Sequence, residues 1–538
     1  MQHTPLTTIL LFERAEKYHR NKTIATASAH GVGRINYAEW AHRTRRLAGA
    51  LGGLGLSDDA RVATFAWNTQ RHLELYFAAP NTGRVLHTLN VRLFPDQLTY
   101  IVNHAEDEVI FVDRSLLGVL LPLLPTFSTV KHLVVIDDDP NSMSQPKLPG
   151  GLEVHDYEAL IDAAQPVEFF VKDENRAASM CYTSGTTGNP KGVVYSHRST
   201  FLNTMSALTA NSLGVCESDT VMPVVPMFHA NSWGMAHAAV AAGANLVLPG
   251  RDLSGRALAD LIVGERVTLT GGVPTIWSAV LPELRDRDTR PLRAILCGGS
   301  AVPKSLSESY RIQTGRPLLH AWGMTETSPL AAVCTPSVAD EARSEEEKAD
   351  LRTTVGPILF SLRNRIVDLE TATELDWDGV SSGELQVSGP WVASSYYGDE
   401  DNRETITKDG WLRTGDVATI DQDGRIRLVD RTKDLIKSGG EWVSSVDVEN
   451  ELVAHPLIKE AAVIGVSHPK WSERPLACVV LEPGATLTKA EILEFLGSRL
   501  TKIQLPDDVV FIDEVPKTSV GKFSKKILRE RFAGYVLP

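Results

Sequence analysis

The chain has 538 residues, of which 43% are hydrophobic and 22% are charged, and its formal net charge is −13. This length and composition are typical of a globular protein with at least two domains, and the negative charge argues against a dedicated nucleic-acid-binding protein. The five cysteines are scattered without a C-x-x-C pair, so we expect free thiols rather than a disulfide framework or a structural metal. The polar segment after Met1 does not resemble a secretory leader, and the apolar runs are shorter than the ~20 residues that span a bilayer, which favours a cytoplasmic enzyme.

Helix-like and strand-like segments alternate along the chain, which predicts an α/β fold. Near the start, an amphipathic pattern predicts a helix over residues 37–51, and an apolar run predicts a buried strand over residues 61–65. The glycines between them lack the full G-x-G-x-x-G pattern and follow a helix, so a Rossmann NAD site is not predicted. Two stretches rich in acidic and turn-forming residues, 137–151 and 339–350, are predicted to be exposed loops or helix surfaces.

A strand pattern over residues 425–430 follows a hairpin-like turn and leads into the charged stretch 431–434. We interpret this stretch as the boundary of a second domain. From there to Pro538 the pattern is compact and mixed, which is typical of a small independent domain.

Residues 182–192, with the sequence YTSGTTGNPKG, are the most informative segment of the chain. Their glycines allow backbone N–H groups to approach an anion closely, the hydroxyl groups add donors, and Lys191 adds positive charge. The segment differs from the Walker pattern because Lys191 follows a proline and precedes a glycine. A nucleotide phosphate site is therefore predicted, with a polar surface turn as the alternative.

This loop resembles the phosphate-binding signature of the adenylate-forming (ANL) superfamily, which contains acyl-CoA synthetases, the adenylation domains of peptide synthetases and firefly-type luciferases. The likeness covers nearly the whole chain. It is strongest to the branch of medium- and long-chain fatty acyl-CoA ligases and their 3-methylthiopropionyl-CoA ligase-like relatives, which residues 442–450, WVSSVDVEN, resemble particularly. The resemblance implies that ATP activates a carboxylate to an acyl-adenylate with release of pyrophosphate, and that the acyl group then passes to the thiol of coenzyme A.

The resemblance also implies a large multi-sheet N-terminal adenylation domain over residues 1–431, a hinge over 432–437 that contains Lys433, and a small mobile α+β C-terminal domain over 438–538. The small domain is expected to alternate between two orientations, because the lysine that serves adenylation must leave before the thiol can enter. In the second orientation Lys437, Glu441 and Trp442 would approach the active site.

A predicted strand over residues 294–297 runs into two glycines, so backbone can pass close to a flat ligand without a Cβ in the way. By resemblance, Gly299, Ser300 and Ala301 would line the adenine. A tight strand-to-helix turn is the alternative. A hydrolase nucleophile at Ser300 is disfavoured because the G-x-S-x-G elbow is missing.

The segment HAWGMTETSP over residues 320–329 carries a candidate magnesium ligand, Glu326, since a hard dication prefers carboxylate and phosphate oxygens. The resemblance assigns adenine stacking to Trp322 and the α-phosphate contact to Thr325. Tyrosine is commoner than tryptophan at this position. Stacking should survive the exchange, whereas a role for a phenol hydroxyl would not. The alternative for Glu326 is a helix-capping or surface acid.

Ribose recognition requires paired acceptors for vicinal hydroxyls, and Asp416 in WLRTGD matches the ribose-binding aspartate of the family. A plain turn residue is the alternative for Asp416. Arg431 is the second matching position, and it follows Asp430 where many relatives have glycine. Near the C-terminus, Lys522 resembles the adenylation lysine, whose point charge would orient the carboxylate and stabilise charge on the transition-state phosphate. A solvated basic face is the alternative for this lysine cluster.

The segment PMFHANSWG over residues 226–234 combines aromatic and small residues, as expected of an acyl pocket wall. By resemblance, Trp233 and Gly234 would contact the acyl chain, and His229 would lie near its carboxylate. A buried structural histidine is the alternative for His229. The substrates that we expect first are medium- or long-chain fatty acids. Short or sulfur-containing alkanoates such as 3-methylthiopropionate are the second candidates, and aromatic acids are the third.

Three other functions are open alternatives: an enzyme that forms acyl-AMP without using coenzyme A, a luciferase-like oxygenase, and an inactive binding module. A homodimer is expected by resemblance. Four residues are predicted to act in catalysis, and they are Lys522, Glu326, Thr325 and His229. The residues predicted to bind ATP, Mg²⁺ or coenzyme A are Thr183, Ser184, Gly185, Thr186, Thr187, Gly188, Lys191, Gly299, Ser300, Ala301, Trp322, Gly323, Met324, Asp416, Arg431, Lys437, Glu441 and Trp442, with Thr183 and Glu326 at the metal.

Overall fold

The computed structural model describes residues 1–138, 151–183, 189–399, 405–439, 441–517 and 523–538. Helices and strands alternate along these ranges, which confirms the predicted α/β class. The strands are β1 Thr23–Ser28, β2 Gly31–Asn36, β3 Arg61–Phe65, β4 Val85–Thr88, β5 Asp107–Asp113, β6 His132–Ile136, β7 Glu153–Asp156, β8 Ala177–Tyr182, β9 Gly192–Ser196, β10 Thr220–Pro223, β11 Asn245–Leu248, β12 Leu269–Gly272, β13 Ala294–Gly298, β14 Leu318–Gly323, β15 Leu330–Val333, β16 Arg363–Val367, β17 Gly383–Ser388, β18 Leu412–Ile420, β19 Ile426–Arg431, β20 Ile436–Ser438, β21 Glu441–Val443, β22 Ile458–His468, β23 Ser472–Leu481 and β24 Asp508–Phe511.

The α-helices are α1 Thr8–Tyr18, α2 Tyr37–Gly53, α3 Gln70–Asn81, α4 Pro95–Ala105, α5 Leu117–Leu120, α6 Tyr157–Ala163, α7 His197–Ala207, α8 Met235–Ala242, α9 Gly255–Gly264, α10 Pro274–Val280, α11 Lys304–Thr314, α12 Glu345–Leu351, α13 Ser445–Val453, α14 Lys489–Gly497 and α15 Lys525–Arg531. Several begin at side-chain caps, for example α2 at Asn36, α13 at Ser444 and α14 at Thr488. None of the helices in the described ranges has the length and apolarity needed to cross a membrane.

Two large sheets form the body of the protein. The first has the order β15-β14-β13-β12-β10-β11-β1-β2, and the second has the order β7-β6-β5-β3-β4-β8-β9. In both, the inner strands are parallel and the antiparallel strands lie towards the edges. Strands such as β12 are buried along their whole length, as expected when helices cover both faces of a parallel sheet. The carboxyl ends of such strands are where α/β folds place their ligands.

Two smaller sheets follow along the chain. Strands β16 to β19 form an antiparallel sheet in chain order. Strands β21, β20, β23 and β22 form the sheet of the C-terminal region, and β24 adds to β23 in parallel. Helices α13 and α14 share a separate apolar core with this sheet, so a large N-terminal domain is followed by a smaller C-terminal one.

The predicted elements match the observed ones closely. The helix predicted over residues 37–51 is α2, the buried strand over 61–65 is β3, and the strand over 425–430 is β19, shifted by one residue. The stretch 339–350 contains most of α12, so its second half is a solvated helix surface. Residues 139–150 of the other polar stretch lie outside the described residues.

Candidate active site

The hairpin of β8 and β9 holds the two ends of the predicted phosphate loop together. Thr183 directly follows β8, and its backbone N–H donates to the carbonyl oxygen of Lys191 at 2.9 Å. The Lys191 N–H donates in turn to the Thr183 hydroxyl at 3.2 Å. The loop residues between them, Ser184, Gly185, Thr186, Thr187 and Gly188, lie outside the described residues.

The Lys191 side chain is half-exposed and lies near an aromatic ring and a carboxylate. Its Nζ is 4.8 Å from the centroid of the Tyr396 ring and 3.5 Å from Asp399 Oδ2. These contacts restrain the ammonium group while solvent still reaches it. An anionic ligand could therefore approach it at modest desolvation cost.

Glu326 is buried, which excludes the surface-acid interpretation. Its Oε1 accepts a hydrogen bond from the Tyr396 hydroxyl at 2.5 Å, and its backbone oxygen accepts from Ala393 N–H at 2.7 Å. Burial and the adjacent Glu326 carboxylate raise the pKa of Tyr396, so the phenol remains a donor at neutral pH. Sequence reasoning missed Tyr396, and the only signal was a pair of tyrosines that no motif covered.

The carboxylate of Asp416 bonds to two other predicted site residues, Trp322 and Arg431. Its Oδ2 accepts the Trp322 indole N–H at 2.9 Å, and its Oδ1 lies 2.7 Å from Arg431 Nε. Asp416 and Arg431 are also paired in the register of β18 and β19. Asp416 lies within β18, so the turn-residue interpretation is wrong. Tryptophan at position 322 thus supplies a polar contact in addition to an aromatic face.

The glycines at the end of β13 are required for close packing. A Cβ on Gly298 would lie 2.4 Å from the carbonyl oxygen of Ala321 on the neighbouring strand β14 and 3.4 Å from the Trp233 indole. Gly299 has φ +82°, a left-handed conformation that favours glycine. Of the residues predicted to line the adenine, Ser300 is exposed and Ala301 is half-buried, at the rim between β13 and α11.

Residues 230–234 form a left-handed turn that the sequence did not predict. Ala230, Asn231, Ser232, Trp233 and Gly234 have φ values from 43° to 74°. A left-handed conformation costs about 1–2 kcal/mol for each residue other than glycine. Side-chain bonds offset this cost: Asn231 Nδ2 donates to Ser179 Oγ at 2.8 Å, and Ser232 Oγ donates to the Val225 carbonyl at 2.7 Å. The turn buries Trp233 beside the end of β13.

A cleft opens between the end of β8, the end of β4 and the two residues that precede this turn. It brings together Thr183 and His229, two of the predicted site residues. Its other lining residues are His87, Thr88, Leu89, Asn90, Leu93, Ile101, Tyr182 and Phe228. Apolar walls with a few convergent polar groups are typical of small-molecule sites.

The residues predicted for coenzyme A lie on β20 and β21 and contact one another. Lys437 Nζ is 3.2 Å from Glu370 Oε1 and 5.0 Å from the centroid of the exposed Trp442 ring. Lys437 thus pairs with a surface carboxylate rather than with the residues around Asp416. Lys522, the predicted adenylation lysine, lies outside the described residues.

Residues 11–397 match the family of the AMP-binding enzyme, and residues 447–522 match the AMP-binding enzyme C-terminal domain. The chain therefore belongs to the AMP-binding enzyme family, in the acyl-CoA ligase branch of the adenylate-forming superfamily. It is an ATP-dependent acyl-CoA ligase, and the expected cofactors, ATP, Mg²⁺ and coenzyme A, are those typical of the family.

Two curated relatives and one solved structure illustrate the likeness. The 3-methylmercaptopropionyl-CoA ligase of Ruegeria lacuscaerulensis is 45% identical, over 99% of this chain and 98% of its own. The long-chain-fatty-acid–CoA ligase of Thermus thermophilus is 44% identical, over 97% and 94%. The crystal structure of ATP-bound MatB from Rhodopseudomonas palustris is 27% identical, with a TM-score of 0.82 over 98% of this chain and 99% of that one.

The contact between Trp322 and Asp416 is expected to support nucleotide binding. In Trp322→Phe the aromatic face remains but the indole N–H is lost, and a hydrogen bond to a charged group contributes about 1.5–3 kcal/mol, so the KM for ATP should rise roughly 10- to 100-fold. Trp277→Phe is the matched control, because the buried Trp277 donates its N–H to the Leu296 carbonyl at 2.8 Å. Steady-state kinetics at varied ATP check this, and equal KM values in the two variants would contradict it.

Proposed function

We propose that this ligase converts a medium- or long-chain fatty acid to its acyl-CoA through an acyl-adenylate, by alternation of its C-terminal domain. The proposed binding of ATP rests on one observation: the Asp416 carboxylate bonds to both Trp322 and Arg431. A carboxylate oxygen can accept more than one hydrogen bond, so both oxygens of Asp416 can also receive the vicinal hydroxyls of a ribose. The adenine would then lie on the Trp322 face, between it and the loop at Gly299.

The proposed magnesium ligands are Glu326 and Thr183. The buried Glu326 carboxylate is a hard oxygen donor, and the Tyr396 hydroxyl orients it from one side, so the donor chemistry fits the ion. Bound Mg²⁺ would offset negative charge on the phosphates. The Tyr195 hydroxyl donates to the Thr325 carbonyl at 2.7 Å, which supports the position of Thr325 proposed for the α-phosphate.

Adenylation requires two anions to approach each other, and the chain supplies cations for this step. The substrate carboxylate is already ionised at neutral pH, so no general base is needed. Its oxygen attacks the α-phosphorus of ATP, the bond to the β-phosphate oxygen breaks, and pyrophosphate leaves. Lys191 and Lys522 would stabilise the charge in this transition state electrostatically, and His229 would lie near the carboxylate.

Loss of the Lys522 charge should abolish adenylation selectively. In Lys522→Ala, carboxylate-dependent exchange of labelled pyrophosphate into ATP is expected to fall about 100-fold or more, as when one transition-state stabilising group is removed. Thioester formation from a synthetic acyl-adenylate should stay within about threefold of wild type, because that step makes no use of the lysine.

The control is Lys517→Ala, since Lys517 Nζ lies 2.6 Å from Glu460 Oε1 and serves a surface ion pair. It should retain normal exchange. Normal exchange in Lys522→Ala as well would sink the assignment of this lysine.

Residues before and within the segment proposed as the hinge bond to helices of the C-terminal region. Asp430 accepts hydrogen bonds from the backbone N–H of Ser445, at 2.7 Å, and from its hydroxyl. Asp434 pairs with Arg529 of α15 at 2.6 Å. Between them, burial lowers the pKa of Lys433. Rotation about Lys433 would break the Asp430 contacts with α13, so Asp430, where many relatives have glycine, would favour the orientation described here.

Proline at the hinge should separate the two half-reactions. Proline fixes φ near −65°, so in Lys433→Pro at least one half-reaction should slow about tenfold or more. Single-turnover assays of adenylation and of thioester formation measure each step. Lys433→Ala, which leaves the backbone free to rotate, is the control and should carry out both half-reactions at normal rates. Both rates unchanged in Lys433→Pro would remove the hinge proposal.

The acyl chain is proposed to lie against Trp233 and Gly234. The turn that carries them is strained and densely bonded, which suits a wall that must hold its shape. A ligase for a short or sulfur-containing alkanoate such as 3-methylthiopropionate is the second candidate. The buried indole at the end of β13, which would shorten a pocket, favours it, as does the likeness to the Ruegeria enzyme.

A series of acids of increasing length should distinguish these substrates. Burial of one CH₂ contributes about 0.8 kcal/mol, so kcat/KM is expected to rise roughly fourfold per methylene until the pocket is filled. Maximal activity at medium or long chains is the expected result. No turnover beyond about six carbons, with turnover of 3-methylthiopropionate, would replace the first candidate by the second.

The homodimer and the cytoplasmic location remain predictions from the resemblance and the sequence. Sedimentation velocity of the full chain, with a mass of 58.8 kDa per subunit, would test the dimer, and cell fractionation would test the location.

A further inference from the structure

Three side chains with metal-binding atoms converge on the edge of the seven-stranded sheet. His132 is the first residue of β6, and Glu153 and His155 lie on the edge strand β7. The parallel register pairs His132 with Glu153 and Val134 with His155. One ligand atom from each of the three side chains lies within 4.8 Å of the others.

The distances within this cluster suit a transition metal. His132 Nδ1 is 3.2 Å from His155 Nε2 and 3.5 Å from Glu153 Oε2, and the latter two atoms are 3.9 Å apart. Tetrahedral Zn²⁺, with bonds of ~2.0–2.1 Å, holds its ligand atoms roughly 3.3 Å from one another. Shifts of a few tenths of an ångström would therefore complete three bonds.

The burial of the three side chains supports a site with one open position. The His132 side chain is 8% exposed and that of His155 is 23% exposed, whereas Glu153 is 71% exposed. Packing thus restrains the two imidazoles, and solvent can supply a fourth ligand. Imidazole and carboxylate together suit Zn²⁺, while Mg²⁺ prefers oxygen ligands only.

We infer that His132, Glu153 and His155 form a Zn²⁺ site that clips the edge strand β7 to β6. Without metal, one of the two facing imidazole nitrogens donates a hydrogen bond to the other. With metal, both must present lone pairs, so the donating ring changes tautomer and the protons are then on His132 Nε2 and His155 Nδ1. Strand β7 leads into α6, whose Glu158 binds Arg43 and Arg71, so the clip would stabilise this corner of the sheet.

The site is separate from the proposed catalytic centre. The strands from β7 to β8 are parallel. His132 and Glu153 are at the amino ends of their strands, whereas Thr183 follows the carboxyl end of β8. Zn²⁺ is therefore expected to change stability and leave adenylation unaffected.

The test is titration of the chelator-treated, desalted full chain with Zn²⁺ by calorimetry, and with Co²⁺ by visible absorption. One ion per chain, a tetrahedral Co²⁺ spectrum and an increase of a few degrees in the unfolding midpoint are expected. His155→Ala and Glu153→Gln should weaken binding about tenfold or more, the loss expected when a ligand or its support is removed. His155→Gln, which keeps a polar cross-strand side chain, guards against loss of folding.

Two control variants test whether other exposed side chains account for the Zn²⁺ binding. His30→Ala removes an exposed histidine between β1 and β2, and Cys216→Ser removes an exposed thiol. Both should bind Zn²⁺ like wild type, and every variant should keep its pyrophosphate exchange. The inference is overturned if wild type binds no Zn²⁺, if the His155 variants keep full affinity, or if a control variant loses binding as they do.

Discussion

The structure around the proposed nucleotide site depends on one carboxylate shared between a neutral and a charged donor. Asp416 belongs to the antiparallel sheet, Trp322 is the penultimate residue of β14 in the eight-stranded sheet, and Arg431 is the last residue before the proposed hinge. Asp416 is buried, so both donors are needed to offset the cost of its charge. The same contact therefore joins two sheets and positions the start of the C-terminal region.

Buried polar groups also define the proposed metal end of the site. The Tyr396 hydroxyl donates a short hydrogen bond to the buried Glu326 carboxylate, and partial burial and the adjacent carboxylate keep the phenol protonated by raising its pKa. The Lys191 ammonium group lies over the same tyrosine ring. Tyr396, which belongs to none of the motifs, therefore contacts both Glu326 and Lys191, each of which belongs to a motif.

The left-handed turn that carries Trp233 shows how the fold stores strain near a proposed substrate wall. Four residues other than glycine hold positive φ values, and two of them are held by side-chain bonds, Asn231 to Ser179 of β8 and Ser232 to the carbonyl oxygen of Val225 just after β10. Packing over-determines the turn, so it can keep one shape. Gly298 is the complementary feature, because any side chain there would strike the neighbouring strand.

The sequence by itself indicated the family, the α/β class and a few of the elements, and it supplied most of the residues that are proposed to bind the nucleotide. These depend on local chemistry: hydroxyls and glycines for phosphate, a carboxylate for ribose, and periodicity for helices and strands. Only the tertiary structure decided that Trp322 donates to Asp416, 94 residues away, and that Tyr396 joins Glu326, 70 residues away. Such partners, like the three metal-binding side chains at the sheet edge, are brought together by strand order and register, which no local pattern encodes.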